Sequence, residues 1–213
     1  MKTDMKRTIT LTLGIVVLAI LVLLALILTF RLLTERAPTT MPGHTTTIWQ
    51  GGTSGLSLSE AVANVESEAR QRAADATLFR AEGAWRPGEQ WQAVETPPLA
   101  WTLYYYSPSE KSLSSVTASD AQNFWAPPTE LPLAPNLITS FPPPYGVDVA
   151  WLSFRAAEGD TFLKTHSDPL VTFQLKSTGA ALHWTVAATE GGDQLRVVID
   201  AQTGVVLSST TSE

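Results

Sequence analysis

The sequence predicts an α+β protein: one N-terminal transmembrane helix, then two tandem units that each pack a helix on an antiparallel sheet in the order αβββ. Three observations lead there. The stretch Thr8 to Phe30 carries no charge and no proline. Beyond it, apolar residues at helical spacing give way to apolar residues at every second position, and this succession occurs twice. Finally, Trp101-Thr102-Leu103 and Asp120-Ala121-Gln122-Asn123 return in the same order as Trp184-Thr185-Val186 and Asp200-Ala201-Gln202-Thr203.

The membrane helix is placed at residues 8–33. At about 1.5 Å of rise per residue the charge-free run spans a hydrocarbon core of roughly 30 Å. Lys2, Lys6 and Arg7 precede it, and Arg31 and Arg36 follow. The positive-inside rule therefore makes residues 1–7 a cytoplasmic arm and puts the rest outside, in a single-pass plasma-membrane protein. A cleaved signal peptide is the competing reading. Its apolar core would run only about 7–15 residues and end at a small-residue cleavage site, which is not found here.

Residues 37–213 carry 9 Lys and Arg against 18 Asp and Glu, a formal charge of 9 − 18 = −9. Phosphate backbones are repelled by such a surface, so nucleic acid is excluded as a partner. There is no cysteine, which excludes disulfides, thiol chemistry and Cys-ligated zinc. The outer part must stand on its hydrophobic core, and the seven Trp and seven Phe of the chain supply one.

Residues 34–56, rich in Thr, Gly and Pro, read as a flexible tether. The first unit covers 57–125. Ser57 and Glu60 have capping-box spacing. Leu58, Ala61, Val62, Val65, Ala69, Ala73 and Ala76 then continue one apolar stripe to Thr77, with Glu66, Glu68, Arg70 and Arg72 on the solvated face. Leu78 to Ala81 reads as a strand and Gly83 to Pro98 as loop. Ala100 to Ser107 is a stronger strand, with Trp101, Leu103 and Tyr105 on one side and Thr102, Tyr104 and Tyr106 on the other. Ser112 to Thr117 follows. Residues 126–146 hold half of the fourteen prolines and read as a linker or a wrapped extended segment, since proline lacks the donor that sheet and helix interiors need.

The second unit covers 147–208, with 209–213 as a tail. Val147 to Glu158 reads as a helix capped by Asp148 and stopped by Gly159. Three strands follow, with Val171, Phe173 and Leu175, then Leu182, Trp184 and Val186, then Leu195, Val197 and Ile199 facing inward. In the closing stretch, Asp200 can accept backbone N–H bonds two or three residues on, and Gly204 can take positive φ as the chain reverses. Asp200, Thr203 and Gly204 are therefore read as turn formers.

The stretch Val197-Val198-Ile199-Asp200-Ala201-Gln202-Thr203-Gly204-Val205-Val206-Leu207 resembles the closing hairpin of the PepSY domain family, whose fold, a helix on an antiparallel sheet, is cystatin-like. Residues 147–207 look like one such unit. Residues 57–123 are a looser match, with Asn123 in place of Thr203 and no Thr-Gly after it. The resemblance implies a bacterial cell-envelope protein that binds or restrains a peptidase in trans.

Nothing in the residues points to catalysis. His44, His166 and His183 are the only histidines, and they lack metal-site spacing. No G-x-S-x-G or Walker A pattern occurs. The expectation is a non-enzymatic module with no catalytic residue, no metal and no cofactor. Tyr104 and Tyr106 are the candidate interface or binding residues: either the other unit covers them or they form an exposed aromatic patch. An accessory or sensory subunit of a membrane complex is the alternative function. An envelope hydrolase is the third reading and needs carboxylates or histidines to converge on a pocket. If the topology is right, protease added outside wall-stripped cells digests residues 37–213, whereas protection of that whole region refutes it.

Overall fold

The structure, a computed structural model, describes residues 48–49, 55–118, 123–179 and 181–212. Its first elements are strand β1 (Ile48–Trp49), helix α1 (Leu58–Arg72) and strands β2 (Thr77–Trp85), β3 (Ala100–Ser107), β4 (Ser112–Ala118), β5 (Phe124–Trp125) and β6 (Thr129–Glu130). Helices α2 (Val147–Phe154) and α3 (Asp160–Thr165) follow, then β7 (Leu170–Ser177), β8 (Leu182–Glu190), β9 (Asp193–Asp200) and β10 (Val206–Ser212). All ten strands belong to one sheet, in the order β10-β9-β8-β7-β2-β3-β4-β5, with β1 beside β2 and β6 beside β4. Only the short β1–β2 pairing is parallel among the described strands.

This corrects the expected fold class. There are not two tandem units with a sheet each: β2 pairs with β7 from Arg80↔Lys176 to Trp85↔Val171. The helix-side residues of both halves form one core cluster, from Leu58 and Val65 through Trp101 and Leu103 to Trp151, Trp184 and Ile199. The physical reason is size and edges. Each half has a core that is marginal alone, and each would present its first strand as an open edge. Joining those two edges removes both. The predicted membrane helix at 8–33, like residues 1–7, most of the tether and Asp120-Ala121-Gln122, lies outside the described residues. No helix among the described residues is long and apolar enough to cross a membrane.

Local chemistry explains the elements. Ser57 caps α1: its Oγ accepts the Glu60 N–H at 3.2 Å while the Glu60 carboxylate accepts the Ser57 N–H at 2.8 Å. The helix stops at Arg72, short of the expected Thr77, because Asp75 is taken up in a turn where it accepts from Ser107 Oγ at 2.6 Å and the Ser109 N–H at 2.8 Å. Strand β2 runs past Ala81 to Trp85, through residues expected as loop, because β7 supplies its partner. Its alternation slips by one: Leu78 and Ala81 both belong to the core, and Phe79 and Arg80 both lie against Tyr104 on the opposite face.

The second helix also departs from expectation. Gly146, not Asp148, is the N-cap of α2. The chain does not stop at Gly159 but kinks at Ala157 and Glu158, where Glu158 has φ 71°, and resumes as α3. Arg155 Nε to Asp160 Oδ1, 2.8 Å, staples the two sides of the kink. The proline-rich stretch wraps the sheet: β6 pairs with β4, and Ile138 donates its N–H to the Leu78 carbonyl at 2.9 Å. β10 continues to Ser212, through the segment read as a tail.

Two tryptophans lock the helices to the sheet. Trp101 Nε1 donates to the Leu56 carbonyl and Trp184 Nε1 to the Tyr145 carbonyl, each at 2.9 Å. Leu56 and Tyr145 each stand one residue before the N-cap of a helix, Ser57 and Gly146. The two indoles meet with centroids 6.2 Å apart. Trp184 is 1 % exposed, so Trp184→Ala is expected to cost about 3–5 kcal/mol in urea denaturation. His183→Ala, one residue away on the opposite face, should stay within about 0.5 kcal/mol. Equal losses would refute this placement.

Candidate functional site

Asp200 ends β9 and binds its own backbone. Its Oδ1 accepts the N–H groups of Gln202 at 2.7 Å and Thr203 at 3.1 Å, and its carbonyl accepts the Gly204 N–H at 2.8 Å. Gly204 has φ 72°, which a side chain would strain. Thr203 Oγ1 accepts the Val205 N–H at 3.4 Å. Ser153 of α2 donates to the Gly204 carbonyl at 3.2 Å, docking the turn on the helix. The turn sends the chain back as β10.

Tyr104 and Tyr106 are buried, at 0 % and 2 % exposure, and so form no exposed aromatic patch. They lie on the sheet face opposite the helices. The Tyr104 hydroxyl donates to Glu82 Oε2 at 2.9 Å, and Gln174 Nε2 donates to Glu82 Oε1 at 2.7 Å. The Arg80 guanidinium sits 4.0 Å from the Tyr104 ring centroid, with Nε 3.3 Å from Glu82 Oε1. Burial, then the Glu82 charge, pushes the phenol up to about 12. Tyr104 is thus held protonated as a donor to a carboxylate. The cluster draws on β2, β3 and β7, so sequence reasoning that kept the halves apart could not assemble it.

His166, one of the three histidines without metal-site spacing, is the C-cap of α3. Its ring stacks on Phe162 at 3.8 Å. Nδ1 lies 2.8 Å from the Phe162 carbonyl and Nε2 lies 3.2 Å from Asp193 Oδ2. Both neighbours are acceptors, so the doubly protonated ring satisfies both, and a cation suits a helix C-terminus. Thr165 Oγ1 is 3.1 Å from Nδ1. With Nδ1–H committed to a carbonyl, however, that nitrogen has no lone pair with which to activate the hydroxyl. The arrangement is an anchor rather than a nucleophile–base pair.

His166 and Asp193 sit beside the open end of the sheet. β10 pairs with β9 from Val206↔Ile199 to Ser212↔Gln194, with a bulge near Leu207, and has no strand on its outer side among those described. All seven residues of β10 are exposed. On one side of its C-terminal end is a cleft of about 360 Å3 lined by Glu158, Phe162, His166, Asp193, Leu195 and Thr211, among others. On the other is a shallower cleft of about 580 Å3 that includes Arg86, Asp168, Glu190, Asp193 and Ser212. Arg86 is paired with Asp168 at 2.9 Å and His166 with Asp193 at 3.2 Å, so the excess charge is that of Glu190 in the one cleft and Glu158 in the other. An edge strand with flanking side-chain clefts is an arrangement suited to strand addition.

No family model matches the sequence, and no curated protein matches it. Among solved structures it is similar to a "putative lipoprotein" from Clostridium difficile 630, at 8% identity over 76% of this chain and 96% of that one, with a TM-score of 0.44. A likeness at that level carries no argument about function.

The His166 geometry predicts a pH dependence. The Phe162 carbonyl first, and then Asp193, hold the imidazole above its ordinary value. A raised folded pKa gives stability that is fully present below the unfolded value, about 6.5, and is lost as pH rises through the folded value. Urea midpoints should therefore fall over that interval in the wild type, and His166→Gln should remove this component. An unchanged slope in the variant refutes the assignment.

Proposed function

We propose that the chain is a membrane-anchored, extracytoplasmic, non-enzymatic binding module that takes an extended segment of an envelope peptidase onto its sheet edge and restrains that enzyme in trans. The observation that carries this reading is β10. It is seven residues long, fully exposed and unpaired on its outer side among the described residues. Its sequence, VLSSTTS, has none of the lysines or prolines with which natural edges block pairing. The resemblance of residues 197–207 to the PepSY closing hairpin supports a peptidase as the partner, and the run Thr8 to Phe30 supports the anchor.

In this mode the partner's main chain bonds to the free N–H and C=O groups of β10, and alternate side chains enter the flanking clefts. Glu158 favours a basic side chain in the helix-side cleft, where Asp193 is already paired with His166. The test is a photo-crosslinker at Ser209 of the full chain in its own envelope. The expected result is an adduct with an exported peptidase that disappears when Thr211→Lys is added. No adduct, an adduct with a second copy of this chain alone, or a peptidase adduct that survives the lysine refutes the reading.

A further inference from the structure

A third cleft, remote in sequence from β10, lies between α1, the start of β2 and the wrapped segment around Ile138. Its volume is about 370 Å3, within the range of small-molecule sites. Val62, Leu78, Ile138 and Phe141 give it apolar walls, and Glu66 and Arg70 stand at its rim. Those two are paired at 2.7 Å with half or more of each side chain exposed, so the rim is formally neutral. Tyr105 also lines the cleft, is 3 % exposed, and its hydroxyl is buried without a hydrogen-bond partner among the described residues.

That hydroxyl is the unusual feature. A buried polar group with no partner costs on the order of 1–3 kcal/mol, and native structures keep few of them. Phenylalanine would fill the same space without the cost. The hydroxyl is also held neutral: burial, and then the negative charge of Glu66, push it well above its ordinary value. It therefore offers a proton and a lone pair rather than a charge.

We infer that this cleft is a binding site for a small neutral amphiphile, an apolar body carrying one hydroxyl or carbonyl group that pairs with the Tyr105 hydroxyl. The neutral rim gives a charged ligand no uncompensated partner, and the four apolar walls suit a hydrocarbon or aromatic body. Tyr105 then fixes the orientation by the hydrogen bond that its hydroxyl leaves unmade among the described residues.

The test uses the full chain in lipid nanodiscs with labelled methyl groups, titrated with 4-methylphenol and with toluene, the same shape without the hydroxyl. 4-Methylphenol should shift the methyl resonances of Val62, Leu78 and Ile138 saturably. Tyr105→Phe should weaken its binding about tenfold, the worth of one hydrogen bond to a buried partner, and leave toluene unchanged. Comparing the two proteins for each probe cancels partition into the lipid. Thr139→Trp, an exposed cleft residue made large, should block both probes without altering the fold by circular dichroism. Unsaturable shifts, equal binding of 4-methylphenol to wild type and Tyr105→Phe, or unimpaired binding to a folded Thr139→Trp overturns the inference.

Discussion

The antiparallel seam between β2 and β7 is the constraint on which the rest of this structure depends. Six residue pairs, from Arg80↔Lys176 to Trp85↔Val171, turn two short sheets into one. On the helix side the seam brings small residues, Ala81 and Gly83, next to Leu175 and Phe173, which leaves room for Trp101 and Trp184 to meet above it. A Cβ at Gly83 would lie 3.3 Å from the Trp101 ring, so the space there is already taken. On the other side the seam creates the Arg80–Glu82–Tyr104–Gln174 cluster, whose members come from both halves. Break the pairing and the aromatic contact, the shared core and the part-buried carboxylate network all lose a partner together.

The helices depend on the sheet in a repeated way. In each half a tryptophan on the second strand after the helix reaches back to the carbonyl just before that helix's N-cap. Helix termini leave main-chain groups to be satisfied, and chain just outside a cap is readily frayed. An indole N–H fixes that point while its ring fills the core. The C-terminal turn adds a second tie in the second half, where Ser153 of α2 holds the Gly204 carbonyl. In the first half Asn123 Nδ2 and Trp125 Nε1 both donate to the Glu68 carboxylate of α1. Those bonds, Trp125 first, hold the Glu68 carboxyl below its ordinary range.

What could be read from the sequence was what is local. The Ser57–Glu60 box and the inward alternation of β7, β8 and β9 are set by residues within a few positions of one another. The recurrence of Trp-Thr-[Leu/Val], read as a sign of two separate units, falls on the two tryptophans whose indoles make these ties. The seam was invisible because its strands are far apart in the chain and each is apolar on one face whichever neighbour it has. Reading the halves as separate units followed from that. The burial of Tyr104 and the Glu82 network inherit the same blindness. The kink at Ala157 and Glu158 was hidden for another reason: Gly159 looks like a helix terminator, whereas the chain turns at Glu158, is stapled by Arg155–Asp160 and continues as α3.

The two ends of the sheet are treated differently, and the contrast bears on where a partner would go. At one end β4 is covered twice, by β5 along Val116 and Thr117 and by β6 along Ser112 and Leu113. The covering pieces are only two residues long because the proline-rich segment that supplies β6 cannot donate a continuous ladder. At the other end β10 lies beyond β9 with nothing described outside it, and it keeps its polar Ser and Thr residues in the open. An exposed edge is ordinarily a liability that a chain covers or charges. Among the described residues such a device covers β4 and none covers β10, which runs next to the anchored His166–Asp193 pair and two clefts. Of the two ends, then, the one at β10 is where pairing with an added strand would displace no strand among those described.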